Sequence, residues 1–186
     1  MSYSPTSSVS DLESDEQYII RPLTSADVIK VRALHAKLSP SSKPLRSTFF
    51  TQLLTHPARL CLIATTLSAP ADPVAVITAA LSVRTTDLGA GAGAFPLEVR
   101  VLTLGVLPAH RRHHLASRLL HAAVEDLCAH AKTGSHSAPA YVSAEAGSLD
   151  DAGRAFWKGV GLHEAEPWRQ GWADVVRVEG RVAIEA

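Results

Sequence analysis

The segment Val101-Leu-Thr-Leu-Gly-Val-Leu-Pro-Ala-His-Arg-Arg-His-His-Leu-Ala-Ser-Arg-Leu-Leu120 decides how this chain is read. From Glu98 to Val106 the residues alternate in polarity and then turn continuously apolar, as in a strand passing from a sheet edge into its interior. Pro108 closes that strand. Leu115, Leu119, Ala123 and Leu127 then recur four apart, joined by Leu120 and Val124, which predicts a helix with one apolar face running until Gly134. Between strand and helix lies a short basic turn. The first amides of a helix have no acceptor within it and sit at the positive end of its dipole, and Arg111 and Arg112 add two permanent charges there. Strand, basic turn and helix start together make an anion site suited to a pyrophosphate. The plainer alternative is two arginines solvated in a surface turn.

Upstream, Tyr18, Ile19 and Ile20 read as a short strand ended by Pro22. Thr24 with Asp27 resembles a capping box, and Val28, Val31, Leu34 and Leu38 follow at helical spacing. Phe49, Phe50, Leu53 and Leu54 predict a second short helix, ended by Pro57. Leu60 to Thr65 and Val74 to Val83 read as strands joined by the turn-rich connection Ser68 to Pro73. Downstream, a strand is expected around Tyr141 to Ala146. A helix follows from Asp150 with Ala152, Ala155, Phe156 and Val160 inside and Gly161 as its stop, and the last strand is expected over Trp172 to Val178.

At 186 residues, with 46% apolar and 19% charged residues, the chain fits one ordinary globular domain. Residues 1–16 are Ser-rich and acidic and predict a mobile tail, residues 17–178 the domain, and residues 179–186 a C-terminal tail. Lys plus Arg and Asp plus Glu both number 18, so no long-range positive field gathers nucleic acid or anionic membrane. Cys61 and Cys128 sit in apolar stretches as small hydrophobes rather than in a disulfide framework. With no basic-then-apolar leader after Met1 and no run of membrane-spanning length, the cytosol is the expected compartment.

Two further clusters invite a sharper reading than they support. Gly89, Gly91 and Gly93 alternate with Ala between Asp87 and Phe95, but no helix start follows, so a hairpin loop is favoured over a phosphate cradle. His110, His113, His114 and His121 lie close in sequence without a carboxylate or cysteine at ligand spacing, so no metal site is expected.

The turn sequence Arg111-Arg-His-His-Leu-Ala116 resembles the acetyl-CoA-binding motif of the GNAT acetyltransferase superfamily, Gln/Arg-x-x-Gly-x-Gly/Ala after a strand, with His114 at the first Gly. Asp150-Asp-Ala-Gly-Arg-Ala-Phe-Trp-Lys-Gly-Val-Gly-Leu162 resembles the superfamily's Asn-x-x-Ala-x-x-Phe-Tyr-x-x-x-Gly-Phe element at matching spacing. Within the superfamily, Leu102-Thr-Leu-Gly-Val-Leu-Pro-Ala-His-Arg-Arg112 is most similar to the catalytic subunits of NatE-type N-terminal acetyltransferases. Leu38-Ser-Pro-Ser resembles their peptide-gripping loop, ahead of Phe49-Phe50.

The resemblance covers about Tyr18 to Val178. It implies an α/β fold with a mixed, mostly antiparallel central sheet flanked by helices, opening between the strands that end at Val106 and Ala146. Acetyl-CoA is the implied cosubstrate, held by Leu104, Gly105, Val106, Arg111, Arg112, His113, His114, Leu115, Ala116, Ser117, Asp150 and Trp157. The acceptor would be a protein N-terminus, Met followed by an apolar residue, contacted by Ser39, Pro40, Ser41, Leu102 and Trp172. The implied partner is a larger ribosome-bound acetyltransferase complex.

The family's catalytic Tyr falls on Arg100, its catalytic His on Glu145, and the Tyr near the cofactor sulfur on Trp157. Glu145 is the candidate base and the Val106 N–H the oxyanion donor. The structural alternative for Glu145 is a salt bridge with Arg100 across neighbouring strands. Two other functions stay open: a catalytically silent acetyl-CoA-binding subunit, and an acetyltransferase for lysine or small amines.

Overall fold

The computed structural model describes residues 17–39, 45–83, 97–130, 140–147, 150–165 and 175–182. The expected N-terminal tail, the glycine-rich stretch 87–95, Pro40, Ser41 and Trp172 lie outside them. Strand β1 (Tyr18–Pro22) leads through a 3-10 turn into helices α1 (Val28–Leu38) and α2 (Ser47–Thr55). Strands β2 (Arg59–Thr66), β3 (Ala69–Val83) and β4 (Leu97–Val106) follow, then α3 (Leu115–His130), β5 (Ala140–Gly147), α4 (Asp151–Gly159), β6 (His163–Glu164) and β7 (Val175–Val182). The strands form one sheet in the order β1-β2-β3-β4-β5-β7-β6. Only β4 and β5 pair in parallel, and α3 supplies the crossover that a parallel pair requires. The mostly antiparallel sheet flanked by helices is the architecture expected from the sequence.

Two cores form because the sheet is covered on both faces. On one face Leu62, Ile77, Val99, Val101, Val142, Ala144 and Val178 pack with the apolar stripe of α3, Leu115, Leu119, Leu120, Ala123, Val124 and Leu127. On the other, Cys61, Ile63 and Val76 meet Val31 and Leu34 of α1 and Phe50 and Leu53 of α2. That burial pushes the Cys61 thiol up to about 12, so it stays a small neutral hydrophobe. No helix among the described residues is long and apolar enough to cross a membrane.

Helix α1 starts where the sequence places it. The buried Asp27 carboxylate accepts from the backbone N–H of Thr24 (3.0 Å) and from its hydroxyl (2.6 Å). Arg21 of β1 completes the corner with two parallel donations to the same carboxylate, at 2.7 and 2.8 Å.

Several boundaries differ from the sequence reading. β3 begins at Ala69 rather than Val74, and Pro73 falls where the β2–β3 register shifts, opposite Thr65, so its missing N–H interrupts no regular ladder. The two-residue β6 is too short to leave a pattern, and β7 runs over Val175–Val182, so residues 179–182 are sheet rather than tail. In α4 the inner stripe is Gly153, Phe156, Trp157 and Val160, whereas Ala152 and Ala155 face solvent. The positive φ of Gly161 (+86°) makes it the stop expected there.

The Arg21 guanidinium, with the Thr24 donors, holds the Asp27 carboxyl far below the usual carboxylate range. A depressed folded-state pKa stabilises fully above the unfolded value of about 3.9 and loses that contribution as pH falls below it. Asp27→Asn should therefore lower stability by about 1–3 kcal/mol at pH 7 in urea unfolding. The difference from the parent protein should shrink steadily below about pH 4. A pH-independent difference would assign the effect to packing alone.

Candidate active site

Pairing between β4 and β5 stops at Val101↔Ala144, although β4 continues to Val106 and β5 to Gly147. The cause lies on the other side of β4. Thr78 of β3 faces Thr103 while Ala79 faces Val101, so Leu102 is an extra residue, a β-bulge that bends β4. The bulge also exchanges the two faces of the strand. Before it, Val99 and Val101 point to the α3 core; after it, Leu104 and Val106 do.

The ladder fixes where the freed backbone groups point. Because the Leu107 N–H donates to the Val74 carbonyl, the pair Val106/Ala75 is a non-hydrogen-bonded one, as is Leu104/Ile77. The N–H groups of Leu104 and Val106 therefore face away from β3, into the gap toward β5. At the gap's end the Val106 carbonyl accepts from Nε of Arg111 at 3.2 Å, which ties the strand tip to the basic turn.

That turn runs Arg111 to His114 and delivers the chain to α3. Arg112 (φ +70°) and His114 (φ +55°) both adopt the left-handed conformation. His114 thus takes the backbone shape that a glycine supplies without strain, and the first amides of α3, from Leu115, Ala116 and Ser117, follow directly. Arg111 and Arg112 are exposed. His113 turns inward to Tyr18, with ring centroids 5.6 Å apart, and His110 Nδ1 meets the Tyr18 hydroxyl at 3.2 Å. These two rings brace the turn against β1.

On the opposite face of the sheet a cavity of about 560 Å³ lies between α1 and the diverging strands. Its walls are α1 from Ile29 to Ser39 on one side, and Leu102 to Gly105 with Glu145 on the other. Gly105 makes this closeness possible: a Cβ there would come within 2.6 Å of Leu38. The sheet floor beside the cavity is charged. Arg100 donates to Glu145 at 2.5 Å, both half exposed, so the anticipated salt bridge exists and Glu145 also lines the cavity. Deeper in, nearly buried Glu98 accepts from the Ser143 hydroxyl and from Arg177 (2.9 Å), and Arg177 also pairs with Glu179 at 3.3 Å.

The candidate residues thus divide. Leu104, Gly105, Val106, Arg111, Arg112, His114, Leu115, Ala116 and Ser117 gather around the strand tip and helix start, whereas His113 packs on Tyr18. Ser39 and Leu102 line the cavity with Glu145. Asp150 caps α4, accepting from the Gly153 N–H at 2.9 Å. Trp157 is 7% exposed and stacks edge-on with Phe156 in the main core, so a packing role is what its position displays. Sequence reasoning passes over Arg32 and His35, which also line the cavity; polar residues among the turns of an amphipathic helix carry no signal of their own.

No protein-family model matches the sequence, and no curated protein does. Solved structures do resemble this one. Arabidopsis thaliana NAA60 in complex with acetyl-CoA superposes with a TM-score of 0.68 at 14% identity, covering 88% of this chain and 98% of that one. Arabidopsis thaliana Naa50 in complex with the bisubstrate analogue CoA-Ac-MVNAL gives 0.59 at 14% identity, over 88% and 98%. The aminoglycoside 6'-N-acetyltransferase AAC(6')-Ih of Acinetobacter baumannii gives 0.64 at 20% identity, over 84% and 98%. The fold is that of the GNAT acetyltransferases.

A left-handed residue other than glycine costs about 1–2 kcal/mol, while glycine's extra freedom in the unfolded chain costs about 0.5–1 kcal/mol. His114→Gly should accordingly leave the melting temperature level or slightly raised, and His114→Val, β-branched at positive φ, should lower it by several degrees. An equal drop in both variants would mean that the imidazole, not the backbone shape, holds the turn.

Proposed function

We propose that this chain transfers acetyl from acetyl-CoA to the α-amine of protein N-termini, in the manner of NatE-type enzymes, with Met before an apolar residue as the preferred start. The observation that carries this is the two-sided gap between β4 and β5. One side offers backbone N–H groups and a basic helix start, and the other a cavity of mixed apolar and polar lining whose one carboxylate among the described residues is Glu145.

The residues fit the cosubstrate. Outward N–H groups at Leu104 and Val106 suit an amide-bearing pantetheine arm, and the amides of α3 with Arg111 and Arg112 suit a pyrophosphate. Acetyl-CoA supplies an activated acyl thioester, from which the acceptor amine takes the acyl group as the thiol departs. The Val106 N–H, fixed in direction by the ladder, is the donor for the carbonyl oxygen as charge develops on it. The thiol needs little acid, and Trp157 offers none.

Glu145 orients the incoming amine and accepts its proton, directly or through water. Its pairing with Arg100 is exposed, and such pairs contribute about 1 kcal/mol or less, so exchanging the guanidinium for an amine costs little. An α-amine with a pKa of about 7.7–8.0 arrives partly neutral at pH 7, unlike a lysine near 10.4, which favours the N-terminus over lysine as acceptor. A polycationic acceptor such as an aminoglycoside would call for several available carboxylates, whereas beside Glu145 the floor's Glu98 and Glu179 are both paired with Arg177. Association with a larger acetyltransferase complex near the ribosome, and a place in the cytosol, complete the proposal.

Excess acetyl-CoA should raise the melting temperature, and Arg111→Ala with Arg112→Ala should diminish that rise. No shift in the parent protein would remove the cosubstrate from this site. With a panel of N-terminal peptides, Glu145→Gln should keep cofactor affinity and lower turnover about a hundredfold. That loss should narrow as pH passes the amine pKa, because more neutral amine arrives unaided. Full activity of Glu145→Gln at every pH would make Glu145 structural, and acetyl-CoA binding without acetylation of any peptide would make the chain a silent subunit.

A further inference from the structure

The α1 wall of the cavity carries two polar groups that the proposed transfer does not use. Arg32 is exposed at the wall and has no ion pair or hydrogen bond among the described residues. The cavity's carboxylate among the described residues, Glu145, is held by Arg100, so no described residue of the cavity balances the positive charge of Arg32. One turn further along the same helix, His35 packs against Phe50, with ring centroids 6.2 Å apart. Its Nε2 is shielded from water and has no hydrogen-bond partner among the described residues. Burial lowers the pKa of this ring, which keeps it neutral, with one N–H to donate. In the tautomer that carries its proton on Nε2, the ring holds a donor with no acceptor among the described residues, a lack that a bound carboxylate relieves.

Residues three apart on a helix are neighbours, so the two groups act on one spot. We propose that Arg32 and His35 form an anion subsite that reads an acidic side chain of the acceptor peptide, Arg32 supplying the charge and His35 a hydrogen bond. This rests on the peptide N-terminus reading given above. Arg32 lies seven residues before Ser39, the cap of α1, which is about 10 Å at 1.5 Å per residue. An extended acceptor advances about 3.3 Å per residue, so an amine delivered near the Ser39 and Gly105 end puts its third or fourth residue beside Arg32. The subsite selects acidic character inside the N-terminus, while the apolar wall formed by Leu102, Leu38 and Leu45 receives the first side chains.

The test uses the full chain with peptides that carry Asp, or Asn as control, at each of the second to fifth positions in turn. Asp at the third or fourth position should lower KM about fivefold relative to Asn, with kcat unchanged, and the gain should fade at about 0.5 M salt. Arg32→Gln should abolish the difference without changing KM for the Asn peptides, and His35→Phe, which keeps the contact with Phe50, should reduce it. No Asp/Asn difference at any position, or one that survives Arg32→Gln, overturns the subsite while leaving the acceptor reading intact. If no peptide is acetylated, the acceptor reading fails, and calorimetric titration of the same peptides into the CoA-saturated protein reads the subsite separately. An Asp preference lost in Arg32→Gln sustains it there, and equal or absent binding overturns it.

Discussion

The parting of β4 from β5 after Val101 and Ala144 is the constraint on which the site depends. Two strands that share a sheet would normally pair along their whole length, because each unpaired buried donor costs about 1–3 kcal/mol. Here the extra residue at Leu102 bends β4 before pairing can continue. The strand nevertheless stays ordered, because its other edge keeps the β3 ladder as far as Leu107 and Val74, while β5 keeps β7 from Ala140 to Gly147. Each parted strand is thus anchored from outside the gap. The tie from Arg111 to the Val106 carbonyl fixes the tip of β4 to the turn that starts α3.

The two faces of the sheet divide the labour by chemistry. The α3 face is a continuous apolar core, and its burial supplies the main driving force for folding. The α1 face is apolar only under α1 and α2; across β4, β5 and β7 it carries Glu98, Arg100, Ser143, Glu145, Arg177 and Glu179. Ion pairs that are exposed or only partly buried, as these are, contribute little to stability, so this floor holds the fold together less than it shapes a polar surface beside the cavity. Gly105 and Leu38 bring α1 down onto β4 and make that surface one side of an open cleft rather than a flat face.

Much of this was legible in the sequence because the signals were local. The apolar run to Val106, the four-spaced leucines of α3, the Thr24/Asp27 corner and the Gly161 stop each announce themselves within a few residues, and each lies where it was expected. The bulge at Leu102 did not, since it is defined by what faces it on β3 rather than by its own type. The pairing of Glu98 with Ser143 and Arg177 spans 45 and 79 residues and has no local pattern. The inner stripe of α4 was misjudged because Ala152 and Ala155 are weak markers of a buried face, and bulky Trp157 decides it. Arg32 and His35 read as the polar side of an amphipathic helix until α1 is seen against the parted strands.

Three residues that depart from the resembled motifs can now be weighed by what they touch. His114 keeps the left-handed turn that the missing glycine would have supplied, so the departure costs strain but not shape. Trp157 is enclosed in the main core, so losing a phenol there removes a proton donor while adding packed surface. Arg100 changes most: it stands on the open floor and takes Glu145 as its partner. The half of the gap that faces the helix start is made of backbone groups and a turn, which tolerate side-chain change, whereas the half that faces α1 is made of side chains. Sequence divergence at constant fold therefore leaves the proposed cosubstrate side intact and rewrites the acceptor side, and it is there that this chain should differ most from its structural neighbours.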